Sequence, residues 1–239
     1  MTRGMAPLFP NGAARRLGLP LACAFAVVLA GCAAANSAMG GNTAKQARAE
    51  VSWGFASDAL LLEIDAADEL NLYQGAPHTL LLTVFQMAED KAFRKLIADP
   101  VALARALESN QPGSDFVLTQ RYIVAPGKRT LLSLDRASEA RFIGIVAGYY
   151  RLDAASTARL FEVPLAVSSK GWISSTYSAE PAPLAIRLQL GAQGLVEARR
   201  LNAYPAAPTR KAWVPLDGGG RQVELDPKSD DGDPAARKL

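Results

Sequence analysis

Apolar and polar positions divide this chain into three regimes. From Leu17 to Gly31 every residue is uncharged and most are apolar. Between Val51 and Tyr204, short apolar runs alternate with polar, turn-rich stretches. After Tyr204 the alternation stops.

The middle regime predicts a mainly β domain. Ala59 to Ile64 (ALLLEI) and Thr79 to Met87 (TLLLTVFQM) read as strands, and Asp65 to His78 between them carries the Gly-Ala-Pro chemistry of an exposed loop. A helical insertion follows, near residues 88–109. Met87, Phe93, Leu96 and Ile97 approximate helical spacing, and Asp90 sits four residues before Arg94. Pro100 interrupts, and Val101 to Leu107 predicts a second short helix with Asp99 as N-cap. Strands resume with Phe116 to Val124, which ends at Ala125-Pro126-Gly127, and with Lys128 to Leu134. Ala140 to Tyr150 is apolar enough for a central strand, with Tyr149 and Tyr150 on opposite faces. Leu160 to Val167 is another, and Pro164 marks an edge or a bulge. Leu184 to Leu190 and Leu195 to Leu201 flank Gly191-Ala192-Gln193-Gly194 as a hairpin. About eight strands with one helical insertion predict a two-sheet antiparallel β-sandwich over residues 51–204.

The flanking regimes have other tasks. Arg3, Arg15 and Arg16 precede the first apolar run, whose fifteen residues would span roughly 22 Å as a helix, short of the ~30 Å bilayer core. Residues 1–31 therefore read as a secretory signal peptide. Leu29-Ala30-Gly31-Cys32 resembles the bacterial lipobox, which implies acylation of the Cys32 thiol and cleavage before it. The other reading is an ordinary signal cut after an Ala-x-Ala site near Ala35. Whether translation starts at Met1 or Met5, the mature protein is the same. Ala33, in place of an aspartate that would resemble an inner-membrane retention signal, points to the outer membrane. Residues 32–50, small and polar after the cysteine, are expected to form a flexible tether with a reach of about 23 Å. Residues 205–239, with Pro205, Pro208 and Gly218-Gly219-Gly220, are expected to be a disordered tail.

Charge and chemistry narrow the function. The formal net charge of +3 is that of the three signal-peptide arginines, so the remainder is neutral and lacks the basic stripe nucleic acid would demand. With Cys23 removed and Cys32 acylated, no disulfide forms within the mature chain. No nucleophile elbow, Walker loop or His-Glu-x-x-His pair is present, and the single histidine, His78, falls in a predicted loop. Acids gather at Asp65, Asp68 and Glu69 and at Glu89 and Asp90, either as solvated loop and helix-start residues or as a glycosidase-like pair. Asp230-Asp231-Gly232-Asp233 lacks the spacing and terminal glutamate of a calcium loop. No catalytic residue, metal site or cofactor is expected beyond the lipid on Cys32.

Several fragments in order resemble one family. After the lipobox come Leu70-Asn71, then Val84-Phe85-Gln86-Met87, a helical insertion containing Phe93, Val124-Ala125-Pro126-Gly127, and Arg141 to Arg151 (RFIGIVAGYYR). In this order they resemble the outer-membrane lipoprotein of type VI secretion systems (TssJ, SciN, VasD) over about residues 55–165. The chain departs from it at Ala158-Arg159-Leu160, where the family commonly has a Trp-Arg pair, and it has no matching pattern at Ser168 to Pro183. The resemblance implies a β-sandwich without a catalytic site, placed on the periplasmic face of the outer membrane. It also implies a partner, the periplasmic domain of a TssM-like inner-membrane protein, engaged by the loop between the first two strands. Here that loop offers Asp68, Glu69, Leu70, Asn71, Leu72, Tyr73 and Gln74, apolar anchors with a polar rim. A structural alternative is that Leu70 and Leu72 fold back onto the sandwich. Functional alternatives are a periplasmic lipoprotein enzyme acting on envelope polysaccharide through Asp68 and Glu69, and a lipoprotein binding a small ligand.

Overall fold

The computed structural model describes residues 36–109, 113–172, 174–202, 212–217 and 219–225. Residues 1–31, read from the sequence as a signal peptide, and Cys32 lie outside the described residues. The chain divides into two compact units, one formed by residues up to Val51 with Val167–Ala179, the other by Ser52–Ala166 with Glu180 onwards.

The larger unit is built around β1 (Ala56–Ala66). Its side chains alternate between two covered faces, so ALLLEI stays apolar throughout where a half-solvated strand would alternate with polar residues. β2 (Leu80–Met87), β3 (Leu118–Val124), β4 (Arg129–Arg136), β5 (Phe142–Gly148), β6 (Ala158–Glu162), β9 (Leu184–Leu190), β10 (Leu195–Arg200), β11 (Val214–Pro215) and β12 (Arg221–Leu225) complete it. One sheet has the order β10-β9-β1-β4-β12-β11 and the other β3-β2-β5-β6. All pairings are antiparallel except β1 with β9, which is parallel, Leu62 opposite Ile186.

Leu60, Leu62, Ile64, Leu132, Leu134, Ile186 and Leu188 from the first sheet, with Leu82, Val84 and Ile145 from the second, are all buried in the core. Gln86 of β2 ties the sheets together. Its amide donates to the Asp135 carbonyl (2.8 Å) and accepts from the Ala137 N–H (2.8 Å). This hydrogen bonding lets a polar side chain lie fully buried.

The opposite face of the second sheet is covered by two helices, α2 (Lys91–Ala98) and α3 (Pro100–Glu108). They are the predicted insertion, except that Met87 ends β2. Asp99 caps α3, accepting from the N–H groups of Val101 (2.9 Å) and Ala102 (3.1 Å), with Pro100 in the first turn where no N–H is missed. Phe85, Met87, Phe93, Leu103, Val146 and Ala158 form the core beneath. The Phe93 ring packs against Gly144, where any Cβ would overlap it.

Four expectations are corrected. The two sheets hold ten strands among the described residues, not about eight, and two more form a separate hairpin. Leu160 to Val167 breaks at Pro164, which has no N–H for a continuous ladder, into β6 and β7 (Leu165–Lys170). The C-terminal region is ordered over 212–217 and 219–225, because Val223 of β12 buries against Leu61, Leu131 and Ala185 on the outer face of the first sheet. The rest of 205–239 lies outside the described residues. The proposed tether is structured from residue 36: α1 (Ala44–Ala49) starts at a reciprocal cap in which Thr43 Oγ1 accepts from Gln46 N–H and Gln46 Oε1 accepts from Thr43 N–H.

The smaller unit holds α1, the stretch before it, and the hairpin of β7 and β8 (Thr176–Pro181), which form their own two-stranded sheet.

Candidate functional site

The β1–β2 connection, residues 67–79, is a framed loop. Its backbone is held by Ala67 N–H to the Leu190 carbonyl (2.9 Å), Leu72 N–H to Ala192 (2.8 Å) and His78 N–H to Leu70 (2.9 Å). Asn71 is the keystone. It takes a positive φ of 49°, which asparagine tolerates better than most residues. Its amide donates to the Thr79 carbonyl (3.1 Å) and accepts from the Tyr150 N–H (2.9 Å), joining the loop to the chain leaving β5.

Beyond Asn71 the loop turns on a small hairpin. Tyr73 and Ala76 exchange two 3.0 Å backbone bonds across Gln74 and Gly75. Both central residues have positive φ (50° and 77°), the pattern of a type I′ turn. The turn lays the Tyr73 ring on Tyr150, stacked at 4.2 Å between centroids and 15° between planes. His78 meets the edge of the pair, 5.3 Å from Tyr150, with its Nδ1 donating to the Ala76 carbonyl (2.9 Å). Tyr73 is 45% exposed and Tyr150 59%. Leu72, Tyr73, Tyr149, Tyr150 and Arg151 line a cavity of about 420 Å³ with Ala192 and Gln193 of the β9–β10 turn. Tyr149 points inward, its hydroxyl donating to the Gly194 carbonyl (2.9 Å). Burial raises its phenol well above the usual tyrosine range.

The seven loop residues read from the sequence thus have two fates. Leu72, Tyr73 and Gln74 are exposed on the rim, and Asp68 and Glu69 are exposed at the loop's start. Asp68 lies against the Gly127 turn between β3 and β4. Neither acid lines the tyrosine cavity. Leu70 is buried in the core, whereas Asn71, largely buried as well, borders the cavity and spends its amide on the frame. The fold-back alternative holds for Leu70 and fails for Leu72. Tyr150, His78 and Arg151 are not among the seven contact residues read from the sequence, although His78 closes the predicted loop. The one available signal was the doublet Tyr149-Tyr150 ending a buried strand, where alternation sends one ring out.

Fold and surface together define a β-sandwich carrying an ordered aromatic loop at one end, with the loop backed by two neighbouring turns. A family model described as type VI secretion lipoprotein, VasD, EvfM, TssJ matches residues 58–192, more than half of the chain. The chain belongs to the type VI secretion lipoprotein family. Among solved structures it is similar to the T6SS lipoprotein TssJ1 from Pseudomonas aeruginosa, with 25% identity and a TM-score of 0.44 over 61% of this chain and 97% of that one. Serratia marcescens Lip, described as a membrane-bound component of the type VI secretion system, matches at 20% identity and a TM-score of 0.41, over 60% and 96%. A chain from a structure described as the T6SS protein TssM C-terminal domain from EAEC matches at 19% and 0.41, over 60% and 98%. No curated protein matches the chain.

Proposed function

We propose that this protein is held at the periplasmic face of the outer membrane by lipid on Cys32. From there it tethers the secretion complex by binding the periplasmic domain of a TssM-like inner-membrane protein. It needs no cofactor beyond the lipid, and its role is assembly, not catalysis. Two acyl chains or more suffice for stable anchoring, each buried CH₂ contributing about 0.8 kcal/mol.

The observation that carries the docking surface is the exposed Tyr73–Tyr150 stack. Two large rings left half in water on a backbone held by Asn71 are preorganised anchors, with little ordering entropy left to lose on binding. Leu72 adjoins them, and Gln74, Arg151 and Gln193 supply a polar rim. Docking of this kind concentrates its energy in a few rings.

The test is a titration of the mature chain, with Cys32→Ser to remove the anchor, against the periplasmic domain of a TssM-like protein from the same cell. Tyr73→Asp with Leu72→Asp, and separately Tyr150→Ala, should each weaken binding by roughly 30-fold or more, about 2 kcal/mol, at unchanged circular dichroism. Wild-type affinity in both variants would move the interface off this loop.

A further inference from the structure

The stretch that follows the lipidation site is fastened to a hairpin by side chains. Asn36 Nδ2 donates to the Ser175 carbonyl (3.0 Å) while its Oδ1 accepts from the Ser175 N–H (2.7 Å). Asn42 repeats the arrangement two residues on, donating to the Tyr177 carbonyl (2.9 Å) and accepting from the Tyr177 N–H (2.5 Å). Each carboxamide thus satisfies both main-chain groups of one residue, as a neighbouring strand would. Asn36 also donates to the Asn42 carbonyl (2.8 Å), which closes the stretch into a compact clamp. Ser168 and Ser178 hydroxyls join the two strands of the hairpin at 2.8 Å.

At the tip of this hairpin stands Trp172, 95% exposed, between Lys170 and the clamped Ser175. Gly171 takes a φ of 101°, and a Cβ there would overlap the Ser174 carbonyl, so the tip is a tight turn that only glycine completes. A fully presented indole beside a lysine is the pairing that sits at a bilayer–water boundary, with its ring among the upper acyl chains and its ammonium among phosphates.

Distance supplies the occupant. Cys32 is four residues before Asn36, at most about 14 Å of chain. Ser175 is three residues past Trp172, at most about 11 Å more. These spans match the headgroup layer and the upper hydrocarbon beneath it. The geometry points to the β7–β8 tip as a second membrane contact: Trp172 and Lys170 enter the phospholipid interface beside the lipid anchor, and the Asn36–Asn42 clamp brings them there. This rests on acylation of Cys32. One anchor leaves a protein free to swing about it, whereas two nearby contacts fix this unit's attitude to the membrane.

The experiment uses the full acylated protein in vesicles of phosphatidylethanolamine and phosphatidylglycerol, with and without brominated acyl chains that quench indoles at contact. The chain has two other tryptophans, Trp53 buried and Trp213 half-buried, so the difference between wild type and Trp172→Phe reports Trp172 alone. Its emission should fall about twofold or more in brominated vesicles. Asn36→Ala with Asn42→Ala, folded by circular dichroism, should lose most of that quenching while still sedimenting with vesicles. Sedimentation of the wild type without quenching of Trp172 would overturn the second contact and leave the lipid anchor standing. Undiminished quenching in the double variant would overturn the clamp. A chain whose mass shows no acyl groups and which fails to sediment would overturn anchor and tip together.

Discussion

At the scale of single residues, Asn71 does the most with the fewest atoms. Its amide bridges two segments, and its backbone adopts a conformation costly for alanine. Asn71→Ala should lower stability by about 1–3 kcal/mol in denaturant melts. It should also weaken partner binding, because Asn71 frames the loop that carries the proposed docking surface. Asn71→Gly, which removes the φ penalty but not the lost bonds, should recover only part of the stability. Sequence reading places Asn71 among the contact residues because it lies in the loop that the family resemblance assigns to the partner. Only the fold reveals that its two bonds are made to Thr79, eight residues on, and to Tyr150, far along the chain. Gln86 teaches the same lesson from the other side. Its place in a motif was visible, whereas its job of joining two sheets depends on Asp135 and Ala137, which no local pattern connects to it.

Elements were legible where their signals are local. Asp99-Pro100 announced the start of α3, and Ala125-Pro126-Gly127 announced the end of β3. The Thr43-x-x-Gln46 cap is also a local signal, and it was overlooked within a stretch read as tether on composition alone. β12 was not legible, since its sequence holds one buried apolar residue, Val223, whose partners lie on three other strands. The helical cover gives the sharpest test at this scale. Gly144→Ala should push the Phe93 ring off the sheet and destabilise the domain by about 1–3 kcal/mol, measured as a shift in denaturant midpoint. Pairing it with Phe93→Leu, which makes room for the methyl, should recover part of that loss. Additive losses would show that the ring does not pack on Gly144.

The whole molecule carries its polar groups in ways that set a limit at high pH. Burial raises the phenols of Tyr149 and Tyr122, the latter aided by the negative charge of Asp135. In the unfolded chain both titrate near ~10. The folded form resists ionisation, so this stability is intact below about pH 10 and drains away above it, at roughly 1.4 kcal/mol per pH unit for each ring. Urea midpoints followed from about pH 9 to 11 should therefore fall, and Tyr122→Phe should flatten the decline. A decline of equal slope in that variant would place the burden on other groups. At this scale the sandwich and its helical insertion were readable from periodicity, because both depend on which positions are apolar. The division into two units was not, because the Asn36 and Asn42 clamps reach about 135–139 residues along the chain.

The order of strands also bears on the timing of folding. β1, one of the two central strands of its sheet, pairs with β4 roughly 70 residues later and with β9 roughly 120 residues later. Its buried leucines therefore find their neighbours only after most of the chain has been made. The loop-closure entropy of such distant pairings makes the first sheet slow to assemble. A polypeptide threaded across a membrane from its N-terminus leads with β1 and follows much later with β9. For the export that the proposed periplasmic role requires, late pairing would keep β1 loose during passage and defer closure of the sandwich to the far side.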